Sequence, residues 1–124
     1  MAPLAAQCYL KVLAWRDRRH ATPKDAVDLY ALLRGAGDEP YADDLYADEQ
    51  AFEAVDHDPQ LAAAYRTGRQ AVAILRPDGA SIAAEVLLEH GEDMARDSHG
   101  TEATELFDAF RKGLLSPRPL GLRP

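Results

Sequence analysis

One cysteine, Cys8, occurs in the 124-residue chain, so no disulfide can close within it. Such a chain suits a reducing compartment, and the expectation is a cytoplasmic protein. Aromatic residues are scarce at 7%, with a single tryptophan, and alanine and leucine are abundant, a balance that favours helices over strands. No apolar run approaches the roughly 18 residues of a membrane span. The amino terminus lacks the basic-then-apolar order of a secretory signal. The three serines (Ser81, Ser98 and Ser116) sit in no nucleophile elbow. His20, His57, His90 and His99 show no metal-ligand spacing, and no glycine-rich phosphate loop is present. No residue is therefore assigned to a metal, and no self-sufficient active site is visible.

What is present is the composition of an ordinary globular domain, 47% hydrophobic and 28% charged, long enough for one modest core. The net charge of -7 disfavours general nucleic-acid binding, because an acidic chain repels a phosphate backbone. The charge is unevenly spread. Lys11, Arg16, Arg18, Arg19 and Lys24 are opposed in their stretch by Asp17 alone. From Asp38 to Asp58 there are nine acids and no Lys or Arg. That asymmetry reads either as a ligand site or as two surfaces that neutralise each other.

The pattern predicts an all-α fold, an irregular bundle of about five or six helices opening with an αα-hairpin. Leu4 to Arg19 contains no Gly or Pro, and Leu4, Cys8, Val12 and Trp15 recur at helical spacing. Thr22-Pro23-Lys24-Asp25 has the grammar of a helix start, with Thr22 as cap, proline in the first turn and Asp25 able to reach back. The second helix then runs to Arg34, with Ala26, Leu29, Tyr30 and Leu33 inward, and Gly35 and Gly37 end it. Tyr41 to Val55 reads as one acidic helix or two short ones. Asp58-Pro59 starts another helix, which reaches about Leu75. Arg76-Pro77-Asp78-Gly79 reads as a turn. A helix from Ala80 to about Ala95 follows, with Ile82, Val86, Leu87 and Met94 inward and a break expected at Gly91. After Gly100-Thr101 comes a last helix with Leu106, Phe107, Phe110 and Leu114 as its stripe. Residues 1–115 form one domain on this reading, and 116–124 form a proline-rich tail.

Chemistry concentrates in the hairpin. Lys11 stands between Leu10 and Val12 on a helix apolar nearly all round, where an ammonium needs a partner or a route to water. Asp25 and Asp28 are three residues apart and share a face of the second helix, and Lys24 lies four before Asp28. A hairpin brings Lys11 and the arginines towards these acids. One lysine, two carboxylates and several arginines suit the handling of phosphate, and equally suit a salt-bridged helix pair whose charges set its register. Asp56-His57-Asp58 reads as a capped turn, and Asp43, Asp44 and Asp48 as a solvated face.

The order Leu10-Lys11-x-x-Ala14-Trp15-x-x-Arg18, followed by Lys24-Asp25-x-x-Asp28-Leu29, resembles the nucleotidyltransferase-like family that includes the AbiEii/AbiGii abortive-infection toxins. The match covers about Ala5 to Leu33, and the remaining chain is compatible with that family's helical C-terminal region. The resemblance implies transfer of a nucleotide from an NTP with Mg²⁺. It implies Lys11, Lys24 and the acidic pair Asp25 and Asp28 as residues of NTP binding or of the catalytic cleft, the two acids as catalytic candidates; Arg16 and Arg19 join Lys11 and Lys24 as nucleotide-binding candidates by their charge. It also implies a strand-borne carboxylate pair upstream, for which nothing before Leu4 provides. The expectation is a truncated or split nucleotidyltransferase, inactive alone and partnered by its N-terminal half or a cognate antitoxin. The alternative is a helical interaction module that associates with itself or another protein and binds no nucleotide.

Overall fold

An uninterrupted run without Gly or Pro becomes helix α1 (Leu4–Arg18). Cys8, Val12 and Trp15 of the expected stripe are buried together with Ala5, whereas Leu4 is only partly buried against the core. The structure, a computed structural model, describes residues 3–36, 45–75 and 77–116. Among these it is all-helical, an irregular bundle of six α-helices opening with a helix pair. The chain reverses after Arg18, whose carbonyl accepts the amides of Ala21 (2.8 Å) and Thr22 (3.0 Å).

Helix α2 (Lys24–Gly35) begins one residue later than Thr22-Pro23 implies: Pro23 occupies the cap position with no side-chain cap, and the Thr22 hydroxyl accepts the Lys24 amide at 3.1 Å. Asp25 does not reach back to that cap. Its carboxylate turns inward and is fully buried, because Arg18 approaches it there. A 3₁₀ turn (Leu45–Ala47) leads into the short helix α3 (Glu49–Ala54), capped by Asp48 through the Ala51 amide. Asp48 is thus a structural cap rather than part of a solvated face. Residues 37–44, with Gly37, Tyr41, Asp43 and Asp44 among them, lie outside the described residues.

Asp58 caps α4 (Pro59–Ile74) by accepting the Leu61 amide at 3.1 Å, as the Asp-Pro pair foretold. The two residues before it, Asp56 and His57, have φ of 55° and 66°. This is a left-handed corner of the sort aspartate and histidine tolerate better than most side chains. Helix α5 (Pro77–Ser98) starts earlier than expected. Pro77, Asp78 and Gly79 belong to its first turn instead of a separate turn, because proline suits the first helical position as well as it suits a bend. Gly91 does not break α5, and Ile82 is 40% exposed rather than inward; Val86, Leu87 and Met94 are buried. Helix α6 (Ala103–Leu114) buries Leu106, Phe107, Phe110 and Leu114, the whole expected stripe. Residues 117–124 lie outside the described residues.

Helices α4 and α6 make the most extensive contact in the bundle, and they do so backbone to backbone. A Cβ placed on Gly68 would lie 2.2 Å from the Phe110 carbonyl oxygen, and one on Gly113 would lie 2.1 Å from that of Tyr65. The two glycines face each other and set the separation of the helices. Helix α5 packs on α6 and closes over α1 and α2. The corner from α5 to α6 also depends on a missing side chain: any Cβ on Gly100 would sit within 2.4 Å of three atoms of the Tyr30 ring, whose hydroxyl donates to the Thr101 carbonyl at 2.9 Å. Among the described residues no helix is long and apolar enough to cross a membrane.

Candidate functional site: charges on the first helix pair

Burial of α1 along Cys8, Val12 and Trp15 leaves Lys11 at the seam with α2, its side chain 29% exposed. Its Nζ donates to Asp28 Oδ2 at 2.8 Å and lies 3.6 Å from Asp25 Oδ1. Lys24 donates to the same Asp28 oxygen at 2.8 Å, one helical turn away on α2. Arg18 forks onto Asp25, with Nε to Oδ2 at 3.1 Å and Nη2 to Oδ1 at 2.8 Å. Three cations therefore rest on two carboxylates, leaving one formal positive charge. The Asp25 side chain is wholly buried, whereas Arg18 is 57% exposed and Lys24 70%. Asp25 forms the floor of the cluster, Lys11 and Asp28 are half-buried above it, and Arg18 and Lys24 form its rim.

The electrostatics follow from those contacts. The hydrogen bond to Asp28 raises the Lys11 ammonium above its ordinary range, against the opposing effect of burial. Hydrogen bonds from Lys11 and then Lys24 hold Asp28 below the usual carboxylate range. Both groups are charged at neutral pH. Lys11 keeps donor capacity beyond the Asp28 bond, and so do the Arg18 fork and Lys24, each of which carries more N–H groups than it spends.

Of the residues singled out from sequence, Lys11, Lys24, Asp25 and Asp28 come together in this cluster. Arg16 and Arg19 do not. Arg16 pairs with its neighbour Asp17 at 3.1 Å on the surface. Arg19 lies over the Trp15 ring, 5.2 Å from its centroid, and its Nη1 is 2.9 Å from His90 Nδ1 on α5. The arginine that does reach the acids is Arg18. Helical arithmetic contained that signal: Arg18 follows Lys11 by two turns and deviates from its direction by about 20°, whereas Arg19 deviates by about 80° and Arg16 by about 140°.

Neither acid suits a metal ion. Both Asp25 oxygens are taken by the Arg18 fork, and Asp28 Oδ2 accepts from two ammonium groups. No group of three or more His, Cys, Asp or Glu side chains arranged to hold a metal occurs among the described residues.

The acidic segment does not neutralise the basic one among the described residues: Lys11, Arg16, Arg18, Arg19 and Lys24 pair with Asp17, Asp25, Asp28 and Asp93. Asp48 is instead forked by Arg69 of α4. Burial raises the Asp48 carboxyl more than any one partner lowers it, but the Arg69 bonds, the Ala51 amide and the charges of Arg69 and Arg66 together bring the group below the usual range. Burial pushes the Cys8 thiol up to about 12, which makes it a core residue without nucleophilic character. Searches against protein-family models, curated proteins and solved structures return no match for the chain.

Proposed function

We propose that the α1–α2 hairpin is the phosphate-holding edge of a nucleotidyltransferase-like protein, with Lys11, Arg18 and Lys24 directed at the triphosphate of an NTP. One observation carries the reading: Lys11 is fixed by Asp28 at 2.8 Å and by Asp25 at 3.6 Å, yet its ammonium still reaches the surface between two further cations. A lysine pinned this way loses little further freedom when an anion arrives, so binding is preorganised. Asp25 and Asp28 are positioning residues here. Asp28 orients Lys11, and Asp25 holds the Arg18 guanidinium in a plane that can fork onto a phosphate. The carboxylates that would carry Mg²⁺ are then supplied by a strand-bearing unit, an N-terminal half of the same enzyme, and this helical region is inactive alone.

The test is calorimetric titration with each NTP in the presence of Mg²⁺, repeated with Lys11→Ala and Asp28→Asn. The expected result is saturable wild-type binding, lost in Lys11→Ala and weakened about tenfold or more in Asp28→Asn, with both variants folded by circular dichroism. No binding by the folded wild-type chain, or equal binding by Lys11→Ala, would overturn the proposal.

A second reading, the helical interaction module, draws on apolar side chains left outside the core. Leu10 is 56% exposed and Val27 41%, one on each helix of the hairpin, and Leu88 on α5 is 68% exposed. A docking surface for a partner or a second copy beside the cation cluster is compatible with either reading.

A further inference from the structure

The 3₁₀ turn and α3 place three rings in a row. Tyr46 stacks on Phe52 with centroids 5.5 Å apart, and Phe52 stacks on His57 at 6.5 Å, both pairs tilted by less than 30°. Beside this ladder is a cleft of about 400 Å³ lined by Tyr46, Glu49, Phe52, Glu53 and His57. Tyr46 as a residue is 76% exposed. Glu49 and Glu53 are four residues apart on α3, so two like charges share one helical face, an arrangement that is unfavourable unless a cation joins them. Neither has an ion-pair partner among the described residues, and no Lys or Arg occurs between Asp38 and Asp58.

The same bundle contains a satisfied version of this grouping. Arg69 lies over the Tyr65 ring, 5.9 Å from its centroid, while its guanidinium forks onto Asp48. A planar cation there contacts a π face and a carboxylate together. The cleft at α3 offers the same two groups, a π face and carboxylates, to a cation from outside.

We propose that the Tyr46–Phe52–His57 cleft binds an arginine side chain of a basic polypeptide partner, with the guanidinium on the aromatic ladder and its N–H groups on Glu49 and Glu53. The choice of arginine follows from shape. A guanidinium is planar, is weakly hydrated and forks onto carboxylates, whereas an ammonium gains the charge contact but loses the stacking. The net charge of -7 favours approach of a basic partner. This site is independent of the hairpin cluster.

The experiment is fluorescence anisotropy with a labelled glycine-spaced peptide carrying two arginines, compared with its lysine counterpart of equal charge. The full chain is expected to bind the arginine peptide at least about threefold more tightly than the lysine peptide. Tyr46→Ala should remove that preference, and Glu53→Gln should weaken both peptides. Because Tyr46 is mostly exposed, its truncation should leave the circular dichroism spectrum intact and lower the thermal midpoint only by the loss of its stacking on Phe52. Lys11→Ala should bind the peptide as wild type does, which separates this site from the nucleotide proposal. Equal affinity for the two peptides, no binding, or an arginine preference that survives Tyr46→Ala overturns the proposal.

Discussion

Replacing Gly68 with alanine sets two contributions against each other. In an isolated helix the change favours folding by about 1 kcal/mol, because glycine gives up more backbone freedom than alanine. In this bundle the new Cβ would lie 2.2 Å from the Phe110 carbonyl oxygen, 2.9 Å from the Leu114 nitrogen and 3.0 Å from the Gly113 Cα. All three are backbone atoms, so no rotamer change can make room, and α4 and α6 must separate by about 1 Å or more to restore ordinary contact. That separation loosens the packing of Leu106, Phe110 and Leu114, which are 3% exposed or less. Overpacking of a core costs roughly 1–3 kcal/mol, and an obstruction made of backbone belongs at the upper end. The net expectation is a loss of about 2 kcal/mol, or roughly 8 °C in midpoint for a domain of this size. Gly91, on the same class of element, supplies the control: a Cβ there meets nothing within 4 Å, so Gly91→Ala should gain about 1 kcal/mol from propensity alone. Urea and thermal unfolding of the two variants beside wild type measure both. A Gly68→Ala midpoint at or above that of wild type would refute the close-contact reasoning.

Two further outcomes concern the hairpin charges. Arg18→Ala strands the buried Asp25 carboxylate; breaking a buried pair costs roughly 3–5 kcal/mol, and the half-exposed arginine and the nearby Lys11 reduce this to about 2 kcal/mol. Adding Asp25→Ala should recover part of that loss, and a double variant less stable than Arg18→Ala would contradict the assignment. The pH dependence follows from the opposite shifts of the partners. Asp28 is lowered, so its contribution is present above the unfolded carboxylate value of about 3.9 and fades as pH falls through the folded value. Lys11 is raised, so its contribution is present below about 10.4 and fades above that. The stability gap between wild type and Asp28→Asn, measured by urea midpoint, should be constant near neutrality and shrink below about pH 4; a gap of unchanged size in acid argues against the ion pair.

Local signals in the chain were legible because their physics is local. Asp58-Pro59 announces the cap and first turn of α4, and Leu106, Phe107, Phe110 and Leu114 describe the buried side of α6. The start of α5 was misplaced because Pro77-Asp78-Gly79, read as a turn, serves equally as a first helical turn, and no local pattern decides between the two. The Lys11–Asp28 pair could be anticipated from an αα-hairpin, and Arg18 from counting helical turns. Arg19 could not be placed in the same way, since its partner His90 is 71 residues away on a helix whose orientation no local pattern encodes. The Gly68–Gly113 contact was hidden for the same reason. Each glycine alone reads as a weak point in a helix, and its meaning appears only when the other faces it. The aromatic ladder depends on the left-handed corner at Asp56 and His57, which brings His57 back over Phe52.

The indole of Trp15 donates to Asp97 at 2.9 Å across 82 residues of sequence, and that span has a consequence for biosynthesis. At roughly 5–20 residues per second, about 4–16 s separate the synthesis of the tryptophan from that of its partner. During that interval α1 has α2 and, once it is made, α4 against it, but not α5. The nascent hairpin therefore shows an apolar face to the ribosome surface and to holding chaperones before α5 closes over it. The bundle can close only after Asp97 has been made, and a ribosome stalled before that point would leave an adhesive intermediate.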